Sequence, residues 1–468
     1  MSKEERKHIP SFSEIFTKFA DNTTAHGFAH IASTKKCFVK FFWSLLIIGC
    51  LAYLCYQIRI LILQCLKRPI ATKIWLENED GQDFPIVAIC NRNSIKKDKL
   101  PELLNTPAFK PKLQVFAKLR NTTHVTSLAR HELFTHLNQA TSLIATQNGS
   151  MVYQYSNSFN ETILSCSYAQ TYDCKKHVHW RQFWHWKYGS CFAFNTGVDQ
   201  NGKKVKLFTS KAGKGYALSL TIGVNQSQYI NQITNEVSAI MYVGAHGVKE
   251  SLYNEGVSFQ PGQIYYAVIQ KKKRIRVDRF NNKSCIDHYK TKRSSLDAQP
   301  LLTKHSVDLC QEQCYVSNYQ RLCNCTTTYN PATNNYPPCG HGESSCMGDV
   351  SAMLKNESIS CLKKCRYACD STHYSVVLTS AGYLVGSEKQ RNRDDLLDVQ
   401  VYFKSLEVEV TEDHVIYTLT NLLSDIGGQL GLWCGYSVLT IVEVLGLLLL
   451  TLLTSVKHCQ RNCCNKNK

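Results

Sequence analysis

Two long apolar runs lie near the ends of the chain, and the residues between them mix or alternate. The first, Phe41 to Ile58, is 18 residues without a charge, set between Lys40 and Arg59 and continued by Ile60 to Leu63. At about 1.5 Å per residue it can cross a hydrocarbon core roughly 30 Å thick, which predicts a membrane helix over 38–63. It begins too far from Met1, and lacks the small-residue cleavage site, for a removed leader, so an uncleaved anchor is expected. The second run, Ile426 to Val456, is 31 residues with one charge, Glu443. That exceeds a perpendicular span, so it should tilt, break or extend past the bilayer; 425–456 is taken as the second membrane segment.

The middle reads as mixed α+β. Phe84-Pro-Ile-Val-Ala-Ile-Cys90 is a continuous apolar run, expected as a buried strand. Ala217–Ile222 and Ile264–Ile269 alternate with period two, as does Val401–Val410, which predicts a strand leading to the second span. Helical spacing marks Leu128–Leu143 and Val307–Leu322.

Flanking bases orient the spans. Lys35, Lys36 and Lys40 precede the first, while Lys457, Arg461, Lys466 and Lys468 follow the second. Segments 1–37 and 457–468 therefore read as cytosolic, and 64–424 as an extracellular domain. Glycosylation triplets at Asn121, Asn148, Asn160, Asn225, Asn282 and Asn356 fall in the outer segment, each weak alone. So do Cys90, Cys166, Cys174, Cys191, Cys285, Cys310, Cys314, Cys323, Cys325, Cys339, Cys346, Cys361, Cys365 and Cys369, an even set suited to disulfides in an oxidising compartment.

A formal net charge of +18 would suggest nucleic acid, but this topology excludes it. Acids gather instead beside both spans: Glu77, Glu79, Asp80 and Asp83 on one side, and Asp394, Asp395, Asp398, Glu407, Glu409, Glu412, Asp413 and Asp425 on the other. Such clusters either concentrate cations by field focusing or are solvated linkers.

Gly427, Gly431 and Gly435 recur every four residues. Close helix packing explains that stripe. It does not explain Ser437 and Glu443, because an ionisable group at membrane depth needs water or a partner. A ring of glycine carbonyls from several copies can replace a cation's hydration shell, since one span per chain cannot enclose a path.

These residues resemble the degenerin/epithelial sodium channel/acid-sensing channel family. The likeness runs through His26-Gly27, Phe84–Asn91, Tyr188-Gly-Ser-Cys191-Phe-Ala-Phe-Asn195, Pro261-Gly262, Cys310-x3-Cys314-x8-Cys323-x-Cys325, Gly427-Gly-Gln-Leu-Gly-Leu432 and Gly435-x-Ser437. The resemblance implies a homo- or heterotrimer of homologous subunits in the plasma membrane, amiloride-sensitive and permeable to Na+, each with palm, finger, knuckle, thumb and β-ball regions. It implies a selectivity filter at Gly435, Tyr436 and Ser437, with Asp425, Gly428, Gly431 and Glu443 lining the pore mouth and lumen. It places His26, Gly27 and Asn421 in gating, bulky replacements at Asn421 holding such channels open. It also implies the pairs Cys90–Cys191, Cys166–Cys174, Cys285–Cys369, Cys310–Cys365, Cys314–Cys361, Cys323–Cys346 and Cys325–Cys339.

Three departures narrow the likeness. Tyr436 stands where a smaller residue is usual, and Lys67–Lys73 replaces a His-rich start. Between Tyr242 and Gly256 the only acids are Glu250 and Glu255, which argues against proton gating. The chain most resembles the peptide-gated sodium channels of simple animals such as cnidarians, which implies an extracellular peptide ligand.

His177–Tyr188 is dense in histidine and aromatics, as a packed wall or a zinc or pH sensor; the wall is the ordinary reading. Lys271–Arg276 reads as a solvated hairpin edge. No nucleotide loop, metal-hydrolase helix or nucleophile elbow occurs, so no catalytic residue, metal or cofactor is assigned. An ATP-gated trimeric cation channel and a non-conducting two-span receptor are the alternatives.

Overall fold

The computed structural model describes residues 34–106, 151–176, 179–198, 203–231, 233–280, 284–286, 304–326, 344–356 and 360–465, with isolated positions elsewhere. His26, His177, Asn121, Asn148 and Asn282 lie outside the described residues. So does most of 128–143, where Leu133, Leu137 and Thr141 are described as helical and buried, at the spacing of one helix face.

Two compact units emerge. The smaller comprises Met1–Ala71 and His414–Lys468. Its helix α1 spans Cys37–Lys67, and Leu54 alone among its described residues is buried. Exposed Phe38, Phe41, Leu45, Ile48 and Leu63 ring it, as expected where the surrounding solvent is lipid. Arg68 stops the helix in a left-handed conformation, and Pro69 cannot continue it. The second apolar run forms two helices, detailed below. Ile416 N–H donates to the Pro69 carbonyl at 3.0 Å, joining the segment that follows α1 to the one that precedes the second run.

The larger unit, Thr72–Asp413, carries two large sheets and two two-stranded ones among its described residues. Its strands include β1 (Ile70–Asn78), β2 (Ile86–Asn91), β3 (Ile163–Tyr168), β4 (Trp180–His185), β5 (Gly189–Phe194) and β6 (Leu218–Gly223). They continue with β7 (Ala239–Gly244), β8 (Val257–Phe259), β9 (Gln263–Ile275), β10 (Asp370–Gly382), β11 (Leu396–Phe403) and β12 (Glu407–Val415). One sheet runs β8-β7-β2-β5-β4. All six residues of β2 are buried: Ile86–Cys90 send alternate side chains into different cores, and Asn91 Nδ2 donates to the Val224 carbonyl at 2.8 Å. Val87 and Ile89 pack with Phe192, Phe194 and Met241, while Ile86, Ala88 and Cys90 join Tyr188, Ile240 and Tyr242. Burying each such side chain contributes about 1.5–3 kcal/mol.

The second sheet is built on the 13-residue β9. One edge of β9 pairs antiparallel with β10 along its whole length. The other edge is shared: Ile264–Ile269 pair parallel with β11, and Lys272–Ile275 pair parallel with β12. β11 continues antiparallel to β6, which pairs with β3. Val401–Val410 is therefore two strands rather than one. The chain leaves the ladder at Lys404–Leu406, where the Leu406 carbonyl accepts from Gln82 Nε2 at 2.7 Å. Lys271–Ile275 lie inside this sheet, not on a hairpin edge, and Arg276 follows directly after β9.

Helix α2 (Val307–Cys323) starts at Ser306, whose hydroxyl accepts from Leu309 N–H at 3.2 Å, and stops at left-handed Asn324. Helix α3 spans Ser344–Lys355. Cys310 and Cys314 share one face of α2 and bond to Cys365 and Cys361, four apart in the opposite sense, so two antiparallel helical segments are stapled twice. Cys323–Cys346, Cys325–Cys339 and Cys285–Cys369 extend this ladder. Cys90–Cys191 joins directly opposed residues of β2 and β5, and Cys166–Cys174 closes a turn after β3.

Candidate functional site

The second span is where chemistry meets the membrane. Helix α4 covers Leu419–Cys434, beginning ahead of the apolar run because Thr418 caps it: its hydroxyl accepts from Asn421 N–H at 3.4 Å and donates to Asn421 Oδ1. Asn421 is exposed on this first turn. One turn on, Asp425 accepts from the Tyr417 hydroxyl at 2.6 Å, which pushes that phenol up to about 12. Tyr417 was not anticipated.

Gly427 and Gly428 are open: a Cβ added at either would meet nothing within 4 Å among the described residues. At Gly431 the nearest atom is the Tyr436 carbonyl oxygen, at 4.0 Å. The helix then stops. Gly435 takes φ +64°, a left-handed conformation that glycine adopts without penalty. Helix α5 restarts at Val438 and continues to Asn465. Ser437 is its cap, since Thr440 N–H donates to Ser437 Oγ at 3.3 Å and Ser437 N–H donates to Thr440 Oγ1 at 3.2 Å. Thr440 is buried.

This break redirects backbone donors. Tyr436 N–H goes to the Leu430 carbonyl at 3.2 Å, and Ser437 N–H to Thr440. Neither therefore serves the α-helical bond it would make to Leu432 or Trp433, so those carbonyls lose their helical donors. Tyr436, with Cys434 and Gly435, lines a cavity of about 400 Å³ opposite Trp43, Ile47 and Cys50 of α1.

The N-terminal segment reaches the same region. Gly27 sits at φ +90°, and a Cβ there would lie 2.9 Å from Ile47 Cδ1. His30 stacks on Trp43, 4.6 Å between ring centres. Thr23 donates its hydroxyl to Glu443 Oε2 at 2.9 Å. Glu443 thus has a bonded neighbour, a contact 420 residues apart in sequence that no local pattern announces.

In the larger unit the acids beside the spans are extensively paired. Lys271 meets Glu79 at 2.9 Å, Lys272 meets Glu409 at 2.9 Å, and Arg274 meets Asp413 at 3.3 Å, where the Thr72 hydroxyl also donates at 2.8 Å. Asp83 pairs with Lys206 and Asp398 with Lys389. For Glu79, Glu409 and Asp413 neither free focusing charge nor plain linker applies: the basic run of β9 clamps β1 and β12. Against α2, Lys249 pairs with Glu312, the Ser251 hydroxyl donates to Asp308 at 2.8 Å, and Lys304 N–H donates to the Gly247 carbonyl at 2.9 Å. Glu250 is buried against Arg181. Burial, and then Asp308, push the Glu255 carboxyl above its usual value.

The described part of His177–Tyr188 is a packed wall. His185 stacks between Trp186 and Tyr188. Burial first, then Lys249 and Lys187, hold its imidazole down to about 3. His185 is neutral in the folded domain, so its stabilising contribution is complete above the ordinary imidazole range and is lost as pH falls. Between pH 7 and pH 5 that loss is about 2 kcal/mol. We expect His185→Phe to flatten the acid side of a thermal-stability profile of the intact chain, measured by intrinsic fluorescence.

Among the glycosylation triplets, Asn160 and Asn356 are exposed, and Asn225 accepts through Oδ1 from Ser227 of its own triplet at 2.9 Å.

Comparison with known proteins agrees with this architecture. The chain matches the family model described as amiloride-sensitive sodium channel over residues 19–447. It is 26% identical over 455 residues to acid-sensing ion channel 1C of Danio rerio, covering 91% of this chain and 82% of that one. It is 22% identical over 479 residues to the bile acid-sensitive ion channel of Homo sapiens, covering 94% and 87%. With the epithelial sodium channel subunit alpha of Mus musculus, identity is 26% over 320 residues, 62% of this chain and 44% of that one. A β-rich unit with seven disulfides among the described residues, flanked in sequence by two helices apolar and long enough to cross a membrane and matched to one channel family over nearly the whole chain, admits one conclusion: the chain belongs to the amiloride-sensitive sodium channel family, as a two-span ion-channel subunit.

Proposed function

We propose that three homologous copies, identical or mixed, surround a single sodium path, with both termini cytosolic and 64–424 outside. The observation that carries this reading is the break at Gly435–Ser437, which interrupts an apolar helix at membrane depth and strips two carbonyls of their helical donors. A soluble core or a simple anchor gains nothing from that loss, whereas a ring of such carbonyls can replace the hydration of Na+. Gly435, Tyr436 and Ser437 form the filter in this reading. Asp425, Gly428 and Gly431 line the mouth and upper lumen, and Glu443 the inner end. The glycans at the six triplets and the permeant Na+ are part of the same proposal, with no cofactor. Family membership weighs against the ATP-gated channel and the non-conducting receptor.

The opening ligand is taken to be an extracellular peptide. Support comes from the contact of residues 247–251 with α2, where Lys249 and Arg181 already occupy Glu312 and Glu250. Protons are the second reading, favoured by Glu255 alone. Amidated peptides and acid steps applied to cells expressing the chain, singly and with sister subunits, separate the two. The peptide reading requires amiloride-blocked Na+ current with peptide and none with acid alone; the reverse pattern would replace it.

Asn421 sits exposed on the first turn of α4. A bulky side chain there is expected to hold the path open, so Asn421→Phe should carry amiloride-blocked current with no ligand added. A closed Asn421→Phe channel at normal surface level would remove Asn421 from gating.

A further inference from the structure

We propose that Thr23 is a positioning residue for permeation, tuning the inner end of the ion path through the hydroxyl it donates to Glu443. The inference rests on the reading that Glu443 faces that path. The bond is 2.9 Å long, and the segment bearing it is held by contacts of its own. Thr23 N–H donates to the Phe19 carbonyl at 2.8 Å, Ile31 N–H to the Gly27 carbonyl at 3.3 Å, and His30 stacks on Trp43. Gly27 packs against Ile47 at a distance that leaves no room for a Cβ. The described contacts on either side of Thr23 thus hold the segment that carries it beside Glu443.

The consequence is electrostatic. A carboxylate that accepts a hydroxyl hydrogen bond has one oxygen oriented and part of its charge neutralised. A cation arriving from the cytosolic side competes with Thr23 for the same lone pairs. The hydroxyl therefore weakens cation binding at the inner end and keeps ions moving, since conduction needs sites that release as readily as they capture. Where water and ions reach the carboxylate, losing the bond changes such an equilibrium by the amount of an ordinary hydrogen bond, roughly threefold to tenfold.

Internal Mg2+ is the probe. Block is measured in inside-out patches on the full channel, opened by the amidated peptides above or by the Asn421→Phe background. Thr23→Val, with Thr23→Ala as a second variant, should tighten Mg2+ block by roughly threefold to tenfold, while Thr23→Ser should match the parent. In a Glu443→Gln background, Thr23→Val should add nothing. If Glu443→Gln alters block and neither Thr23 variant does, the proposal fails while the path reading stands. If Glu443→Gln also leaves block unchanged, Glu443 is not on the path and both fail. A Thr23 effect that persists without the Glu443 charge overturns the proposal too. Should no variant pass current, the paired substitution Thr23→Cys with Glu443→Cys decides: peptide mapping after mild oxidation must find the two joined, and their failure to bond sinks the proposal.

Discussion

Cells expressing Gly435→Val are expected to place the chain on their surface with its disulfides formed and to pass no sodium current. Gly435 holds φ +64° at the end of α4. A left-handed conformation costs an ordinary L-residue roughly 1–2 kcal/mol and a β-branched one more, because Cβ crowds the neighbouring carbonyl oxygen. The cheapest escape is to continue the helix through the break. Tyr436 and Ser437 N–H would then return to Leu432 and Trp433, removing the carbonyls on which the proposed filter depends. Gly435→Ala, strained without β-branching, should lose only part of the current. Gly427→Ala meets no atom within 4 Å in the described structure and should express normally. Surface biotinylation beside whole-cell current reads both quantities, and a fully conducting Gly435→Val channel would show that the break is dispensable.

The second large effect concerns the outer domain. Arg181→Met should lower its stability by about 3–5 kcal/mol, because it leaves the Glu250 carboxylate buried and unpaired. The Glu250 side chain is only 5% exposed. Its neighbours Lys249 and Ser251 make the contacts to Glu312 and Asp308 of α2, so loosening here also frees the stapled helices. The double variant Arg181→Met with Glu250→Met should regain most of the loss, since an apolar pair of similar volume is often no worse than a buried ion pair. Thermal unfolding of detergent-solubilised protein, followed by size-exclusion, measures both. Equal damage in the single and double variants would mean that packing, not the stranded charge, sets the cost.

Much of the architecture was legible in the residue pattern, for reasons that are local. Apolar length pointed to two spans, and the overlong second run left tilt, a break or extension past the bilayer open, of which the structure has the break. The burial of Ile86–Cys90 in β2 follows from an unbroken apolar run. What stayed hidden depends on partners distant in sequence. Val401 and Phe403 hold odd positions, whereas Leu406, Val408 and Val410 hold even ones. That change of parity is the mark of the excursion at Lys404–Leu406, and reading the stretch as one alternation passes over it. The basic run of β9 looks like a solvated edge until the fold brings Glu79, 192 residues away, against Lys271. Likewise the acids beside the spans read as unscreened charge because β9 is far from them along the chain. Thr23 carries no motif of its own, and its role appears only beside Glu443.

The path itself is tested most directly by a thiol at the break. Ser437→Cys channels, opened by peptide or by Asn421→Phe, should be blocked by external Cd2+ at concentrations that leave the Ser437 channel, with its native Cys434, untouched. Amiloride should slow the onset of that block. Equal Cd2+ sensitivity in the two channels, at equal current, would put position 437 away from the ions and contradict the account.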